Sequence, residues 1–167
     1  GLFFQDRRAP ALRDKNVRQA LSLSIDKNAI IKAVPDARLS ASPFLEDQVG
    51  YARTLTPPSY DETQAARLLT ESGWKKDAEV WKKDGKPLAV RLTVLDEPIY
   101  LTVADIIRSS WKKLGVEVTL EAVHRGAFEQ GVLRPRAYEI ILFSLLGGRE
   151  GDPYSFWHST QIDHPGL

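Results

Sequence analysis

Between Pro87 and Ser144 the hydrophobic pattern changes period four times, and few folds accommodate that alternation. Leu88, Val90, Leu92 and Val94 alternate with Ala89, Arg91 and Thr93, the period of a pleated strand with one drier face. Pro98 then suits the first turn of a helix, where a missing N–H costs nothing. Ile99, Val103, Ile106, Ile107 and Leu114 follow at helical spacing, and Gly115 can take the left-handed cap with Val116 packed back on Trp111. Val116, Val118, Leu120 and Ala122 resume the period of two. A strand, a helix of about four turns and a second strand predict a parallel, right-handed crossover. A shorter helical piece, Ala127 to Leu133, leads to Tyr138–Phe143, apolar at successive positions as in a central strand covered on both faces. The reading is an α/β fold with a mixed sheet flanked by helices. Ligands of such sheets bind beyond the carboxyl ends of the parallel strands, which singles out three loops: Asp96 to Pro98, His124 to Gly126 and Ser144 to Pro153.

Around this unit the sequence predicts a short strand at Leu2 to Gln5 and a helix from Asn16 with Val17, Ala20, Leu21 and Ser24 on one face. Asp26 caps a further turn holding Ala29, Ile30 and Ala33. Pro35 to Tyr60, with Pro35, Pro43, Pro57 and Pro58, reads as a long wrapped segment without regular structure. Asp61 and Gln64 form a capping box for a helix through Ala65, Leu68 and Leu69 that closes at Gly73, with Trp74 folded back on Leu69. Asp84-Gly85 is a hairpin turn signal. The expectation is that this hairpin lays an antiparallel strand on Leu88–Leu95 and so makes the sheet mixed.

A chain of 167 residues, 43% hydrophobic and 27% charged, is sized for one domain with a real core. Its net charge of +1 favours neither nucleic acid nor an acidic membrane surface as partner. With no cysteine there are no disulfides, thiolate metal sites or cysteine nucleophiles. The absence of methionine, the abrupt start at Gly1-Leu2-Phe3-Phe4 and the end at His164-Pro165-Gly166-Leu167 suggest a piece of a longer protein.

Enzyme signatures are largely missing: there is no nucleophile elbow, Walker loop or dinucleotide-binding glycine fingerprint. Gly147-Gly148-Arg149-Glu150-Gly151 either forms an anion-binding nest or permits a tight exposed turn. His124, His158 and His164 are too scattered for a metal site. Asp152 and Pro153 read as the start of a helix to His158, and Tyr154, Phe156 and Trp157 as core or as a stacking surface. Asp96 and Glu97 could pair as acid and base, or simply sit where a helix dipole favours them.

Several phrases together resemble one family, the extracellular solute-binding proteins, family 5, which serve oligopeptide, dipeptide and nickel ABC transporters. They are Asp14-Lys15-Asn16-Val17-Arg18-Gln19-Ala20-Leu21-Ser22 with Ile25-Asp26-Lys27, Tyr60-Asp61 through Ser72-Gly73-Trp74, and Lys83-Asp84-Gly85-Lys86-Pro87-Leu88. Leu114-Gly115-Val116-Glu117-Val118 and Asp152-Pro153-Tyr154-Ser155-Phe156-Trp157-His158-Ser159 complete the set. The resemblance implies a two-lobed, type II periplasmic-binding-protein-like fold that closes on its ligand by hinge motion. Residues 1–167 would form a single domain, most of the carboxyl-side lobe, with the first lobe outside this chain. It further implies a non-enzymatic protein without cofactor, located in the periplasm or outside the cell and membrane-associated at full length. Its partners would be a peptide or other small solute, an ABC transporter permease and the first lobe, with no nucleic acid.

The ligand-binding residues expected on this basis are Asp96, Glu97, His124, Arg125, Leu145, Leu146, Gly147, Gly148, Arg149 and Glu150. Peptide binders of the family carry Gly-Trp and then an aspartate, which holds the peptide amine, in the loop after the last strand of this lobe. Aligned on Asp152-Pro153, those positions are Leu145, Leu146 and Arg149. A cation where an ammonium should bind opposes it. Either Glu150 replaces the acid by a one-residue shift, or the ligand is not an ordinary peptide with a free amino terminus. Arg149 with His124 and Arg125 could favour an anionic group, or Arg149 is a solvated loop residue. Two rival readings are a ligand-sensing domain of a transcription regulator built on the same fold, and an α/β enzyme acting through Asp96, His124 and Arg149.

Overall fold

The computed structural model describes residues 1–42, 44, 51, 54–144 and 159–161. Its centre is a four-stranded sheet ordered β1-β7-β5-β6, made by Leu2–Phe4 (β1), Ala89–Leu95 (β5), Glu117–Val123 (β6) and Ile140–Leu142 (β7). β5 runs parallel to both β6 and β7, in registers that set Leu95 opposite Val123 and Val94 opposite Leu142. β1 pairs antiparallel with β7, Leu2 opposite Leu142. The sheet is mixed, as the sequence predicts, but the antiparallel strand is the amino-terminal one and not the Asp84-Gly85 hairpin.

That hairpin forms a sheet of its own. Lys75–Asp77 (β2), Val80–Lys83 (β3) and Lys86–Pro87 (β4) pair antiparallel in the order β2-β3-β4. Asp84 and Gly85 have φ of 51° and 75°, the paired positive values of a primed two-residue turn. The reason for the correction is edge availability: β6 and β7 occupy both edges of β5, so no third strand can join it. The hairpin docks instead on the end of the helix Pro98–Leu114 (α4), where Trp81 N–H donates to Gly115 O at 3.0 Å and Trp81 Nε1–H to Leu114 O at 2.8 Å.

One face of the sheet carries the main core. Val90, Leu92, Val94, Ile140 and Leu142 meet Ala104, Ile107, Trp111 and Leu114 of α4 and residues of Lys15–Leu23 (α1) and Glu62–Glu71 (α3). Trp111 is fully buried, and its indole N–H donates to Leu21 O at 2.9 Å, joining α4 to α1. Lys27–Ala33 (α2) is capped by Asp26, whose Oδ1 accepts from Asn28 and Ala29 N–H. Burying the larger apolar side chains of this core contributes about 1.5–3 kcal/mol each before the entropy of ordering the chain is set against it.

The ends of α3 show both agreement and departure. Trp74 N–H donates to Leu69 O and Gly73 N–H to Thr70 O, the expected Schellman closure, with Gly73 at φ 82°. At the other end Asp61 Oδ1 accepts from Gln64 N–H at 2.8 Å, but Asp61 N–H donates to Leu23 O. The amide that Gln64 would satisfy in a capping box thus ties α3 to the end of α1 instead. Pro35–Tyr60 carries no helix or strand among its described residues.

The second face is covered by the β6–β7 crossover. It begins with a single helical turn, Arg125–Ala127 (α5), two residues earlier than the sequence suggests, and continues as a wide π-type turn, Phe128–Leu133. Phe128, Val132 and Tyr138 bury against Leu95 and Ile141, a small cluster separate from the main core.

Candidate functional site

Because β5, β6 and β7 are parallel and in level register, their carboxyl ends Leu95, Val123 and Leu142 share one rim. The loops from β5 into α4 and from β6 into α5 therefore start side by side. Asp96 N–H donates to Val123 O at 2.9 Å, one more backbone bond beyond the last strand pair. The rim also receives the start of β1: Phe143 N–H donates to Gly1 O, and Gly1 N–H to Phe143 O at 2.7 Å.

The Asp, Glu, His and Arg side chains named from sequence in these two loops meet as two pairs. His124 Nδ1 lies 3.0 Å from Asp96 Oδ2, and Arg125 Nε donates to Glu97 Oε1 at 2.9 Å, with a second, closer contact from Nη2 to the same oxygen. The acids are about one-third exposed, whereas His124 and Arg125 are 88% and 77% exposed. Backbone geometry holds His124 and Arg125 in place. Ala127 and Phe128 N–H both donate to His124 O, so the chain turns into α5 directly beneath the histidine. Glu97 precedes Pro98 at the first position of α4, but its carboxylate makes no bond to the helix N–H groups and reaches Arg125 across the loops. The helix-dipole role considered for Glu97 thus yields to an inter-loop pair.

Leu145, Leu146, Gly147, Gly148, Arg149 and Glu150, with the Asp152–His158 segment, lie outside the described residues. Among the described residues no three His, Asp or Glu side chains gather as metal ligands, and no helix is long and apolar enough to cross a membrane. The rim also has an exposed apolar residue. Ile99, on the first turn of α4, is 51% exposed. It lies to one side of the helix face that buries Ala104, Ile107, Trp111 and Leu114, whereas Tyr100 and Leu101 of the same turn pack partly buried against the core.

An open depression of about 460 Å³ lies elsewhere, between α2 and α4, lined by Asp26, Ala29, Tyr60, Asp105, Ile106 and Lys113 among others. Its charged groups already serve structure: Asp26 caps α2, Asp105 pairs with Arg108 at 2.8 Å, and Lys113 pairs with Glu62 at 2.8 Å. The rim, not this depression, is where the loops converge.

Comparison with known proteins agrees with this geometry. The family described as bacterial extracellular solute-binding proteins, family 5 (middle region), matches residues 1–164. The oligopeptide-binding protein AppA of Bacillus subtilis is 27% identical over 158 residues, which cover 90% of this chain and 29% of AppA. The dipeptide-binding protein of Escherichia coli is 28% identical over 166 residues, covering 87% of this chain and 30% of that protein. The solved structure of AppA in complex with a nonapeptide superposes with a TM-score of 0.88 at 25% identity, over 99% of this chain and 34% of AppA. NikZ of Campylobacter jejuni, solved with Ni(L-His), superposes with a TM-score of 0.80 at 27% identity, over 96% of this chain and 32% of NikZ. The chain thus spans about a third of the length of these relatives. With the family matched over nearly every residue and the fold reproduced at high superposition scores, the chain belongs to the bacterial extracellular solute-binding proteins, family 5.

Proposed function

We propose that this chain is most of the carboxyl-side lobe of an ABC-transporter substrate-binding protein that takes a peptide or related small solute into a cleft between two lobes and delivers it to a membrane permease. The observation that carries the reading is the shared rim: parallel strand ends at one level, with loops 96–98 and 124–126 bound to each other beside them. A rim of this kind supplies one wall of a cleft, and a second lobe supplies the other. Ligand then stabilises the closed state by touching both walls at once.

In this reading Asp96, Glu97, His124 and Arg125 belong to the described part of the wall, and Leu145, Leu146, Gly147, Gly148, Arg149 and Glu150 extend it. The protein acts in the periplasm or at the outer cell surface, associated with the membrane, and does no chemistry on its ligand. The relatives named above bind peptides or nickel complexes, which favours transport over the sensor-domain reading.

The test is to purify the intact protein, identify by mass spectrometry the small molecules that accompany it, and titrate them back by calorimetry. A peptide or metal complex bound by the whole protein, but at least a hundredfold more weakly by residues 1–167 alone, supports the proposal. Equal affinity of the fragment, or turnover of the bound molecule, refutes it.

A further inference from the structure

Two arrangements at the rim, taken together, say what kind of ligand group it receives. Each acid is matched with one base across the same pair of loops, Asp96 with His124 and Glu97 with Arg125. Both pairs join the β5–α4 loop to the β6–α5 loop, and the backbone bond from Asp96 N–H to Val123 O reinforces the join. The large apolar side chain exposed beside them is Ile99, two residues after Glu97. Each of the four side chains already has a partner, and a carboxylate already hydrogen-bonded is a weaker acceptor for an ammonium.

Resting on the proposed function, we infer that Asp96, Glu97, His124 and Arg125 form a latch that fixes the relative position of the two loops, and that the ligand group facing this part of the rim is uncharged and apolar and is met by Ile99. The four are positioning residues. Their separation in sequence, 28 residues within each pair, makes them the side-chain link between loops that the strands bring together only at their ends. Pairs as open as these are worth little individually to overall stability, so their effect is read locally, in the two loops they join.

The test uses the intact protein carrying Glu97→Gln, Arg125→Met, the exchange Glu97→Arg with Arg125→Glu, Ile99→Asp or Ile99→Leu. Amide hydrogen exchange at residues 96–99 and 124–128 reads the latch without ligand. Calorimetry with trialanine and with an alanine-based nonapeptide reads the contact. The single changes at 97 and 125 are expected to speed exchange about two- to fivefold, and the charge exchange to restore both exchange rates and peptide affinity to within threefold of the wild type. Ile99→Asp is expected to weaken peptide binding about tenfold with unaltered loop exchange, and Ile99→Leu to leave both within twofold. If the charge-exchanged protein stays as impaired as the worse single variant, the latch is overturned, because a charge read by ligand cannot be moved to the opposite loop. If Ile99→Asp binds like the wild type, the apolar contact is overturned. A wild-type protein that binds neither peptide overturns the Ile99 contact, the proposed function being decided by the molecules that accompany the purified protein, while the exchange rates still decide the latch.

Discussion

Replacing Gly115 by alanine tests how α4, the hairpin and β6 are joined. Gly115 ends α4 at φ 104°, and a Cβ built there would lie 2.5 Å from Glu79 O and 3.2 Å from Trp81 Cδ1. The left-handed backbone alone costs an alanine about 1–2 kcal/mol. The contact with Glu79 O cannot be relieved by a side-chain rotation, because the obstacle is backbone. Moving the hairpin away would weaken Trp81 N–H to Gly115 O and Trp81 Nε1–H to Leu114 O, at about 0.5–1.5 kcal/mol for each bond lost. The total comes to roughly 3 kcal/mol, which for a chain of this length lowers the unfolding midpoint by about 6–12 °C. Gly85→Ala is the control: φ is 75°, but nothing lies within 4 Å of its Cβ, so only the backbone cost of about 1–2 kcal/mol applies. Urea unfolding of both variants, followed by tryptophan fluorescence, separates the contributions. Equal destabilisation by the two changes would refute the claim that the hairpin is clamped against the end of α4.

Asp61→Ala removes the acceptor for Gln64 N–H while leaving the Asp61 N–H bond to Leu23, and should destabilise by about 1 kcal/mol in the same assay. Trp111→Phe strips Leu21 O of a buried donor and leaves a small void, for an expected loss of about 2–3 kcal/mol by denaturant titration. Glu62 receives a hydrogen bond from Lys113 and another from the Tyr60 hydroxyl, which hold its carboxyl below its ordinary value of 4.5. A depressed folded-state value means that the stabilisation is complete above 4.5 and is lost as pH falls through the lower folded value. Glu62→Gln should therefore flatten the acid side of the stability curve, as measured by unfolding midpoints between pH 6 and 3.

The strands, α4 and its glycine cap were legible because their signals are local and periodic: alternation along Leu88–Leu95, Pro98 at the helix start, Gly115 at its end. The rim was legible one step further on, since parallel strands necessarily end on the same side. What the sequence hid was competition for partners. The hairpin turn at Asp84-Gly85 was readable, but that β6 and β7 take both edges of β5 is a property of the whole sheet. The Asp61–Gln64 spacing announces a capping box, yet Leu23 O, nearly forty residues earlier, takes the amide. At the rim, Glu97 and Arg125 were both named, but their union depends on the register of β5 with β6, which no spacing in the chain encodes. Ile99 lies to one side of the buried face of α4, while Tyr100 and Leu101 of the same turn pack against the core.

The pairing of β1 with β7 has a temporal consequence. Leu2 bonds in register with Leu142, so this strand finds its partner only after some 140 further residues have been assembled. At about 5–20 residues per second that is an interval of roughly 7–28 s, during which Leu2, Phe3 and Phe4 have no native strand to join. A ribosome-associated holdase, or a pause before β7 emerges, would bear directly on the yield of this protein, and destabilising β1, whose pairing comes late, should hasten unfolding more than it slows renaturation.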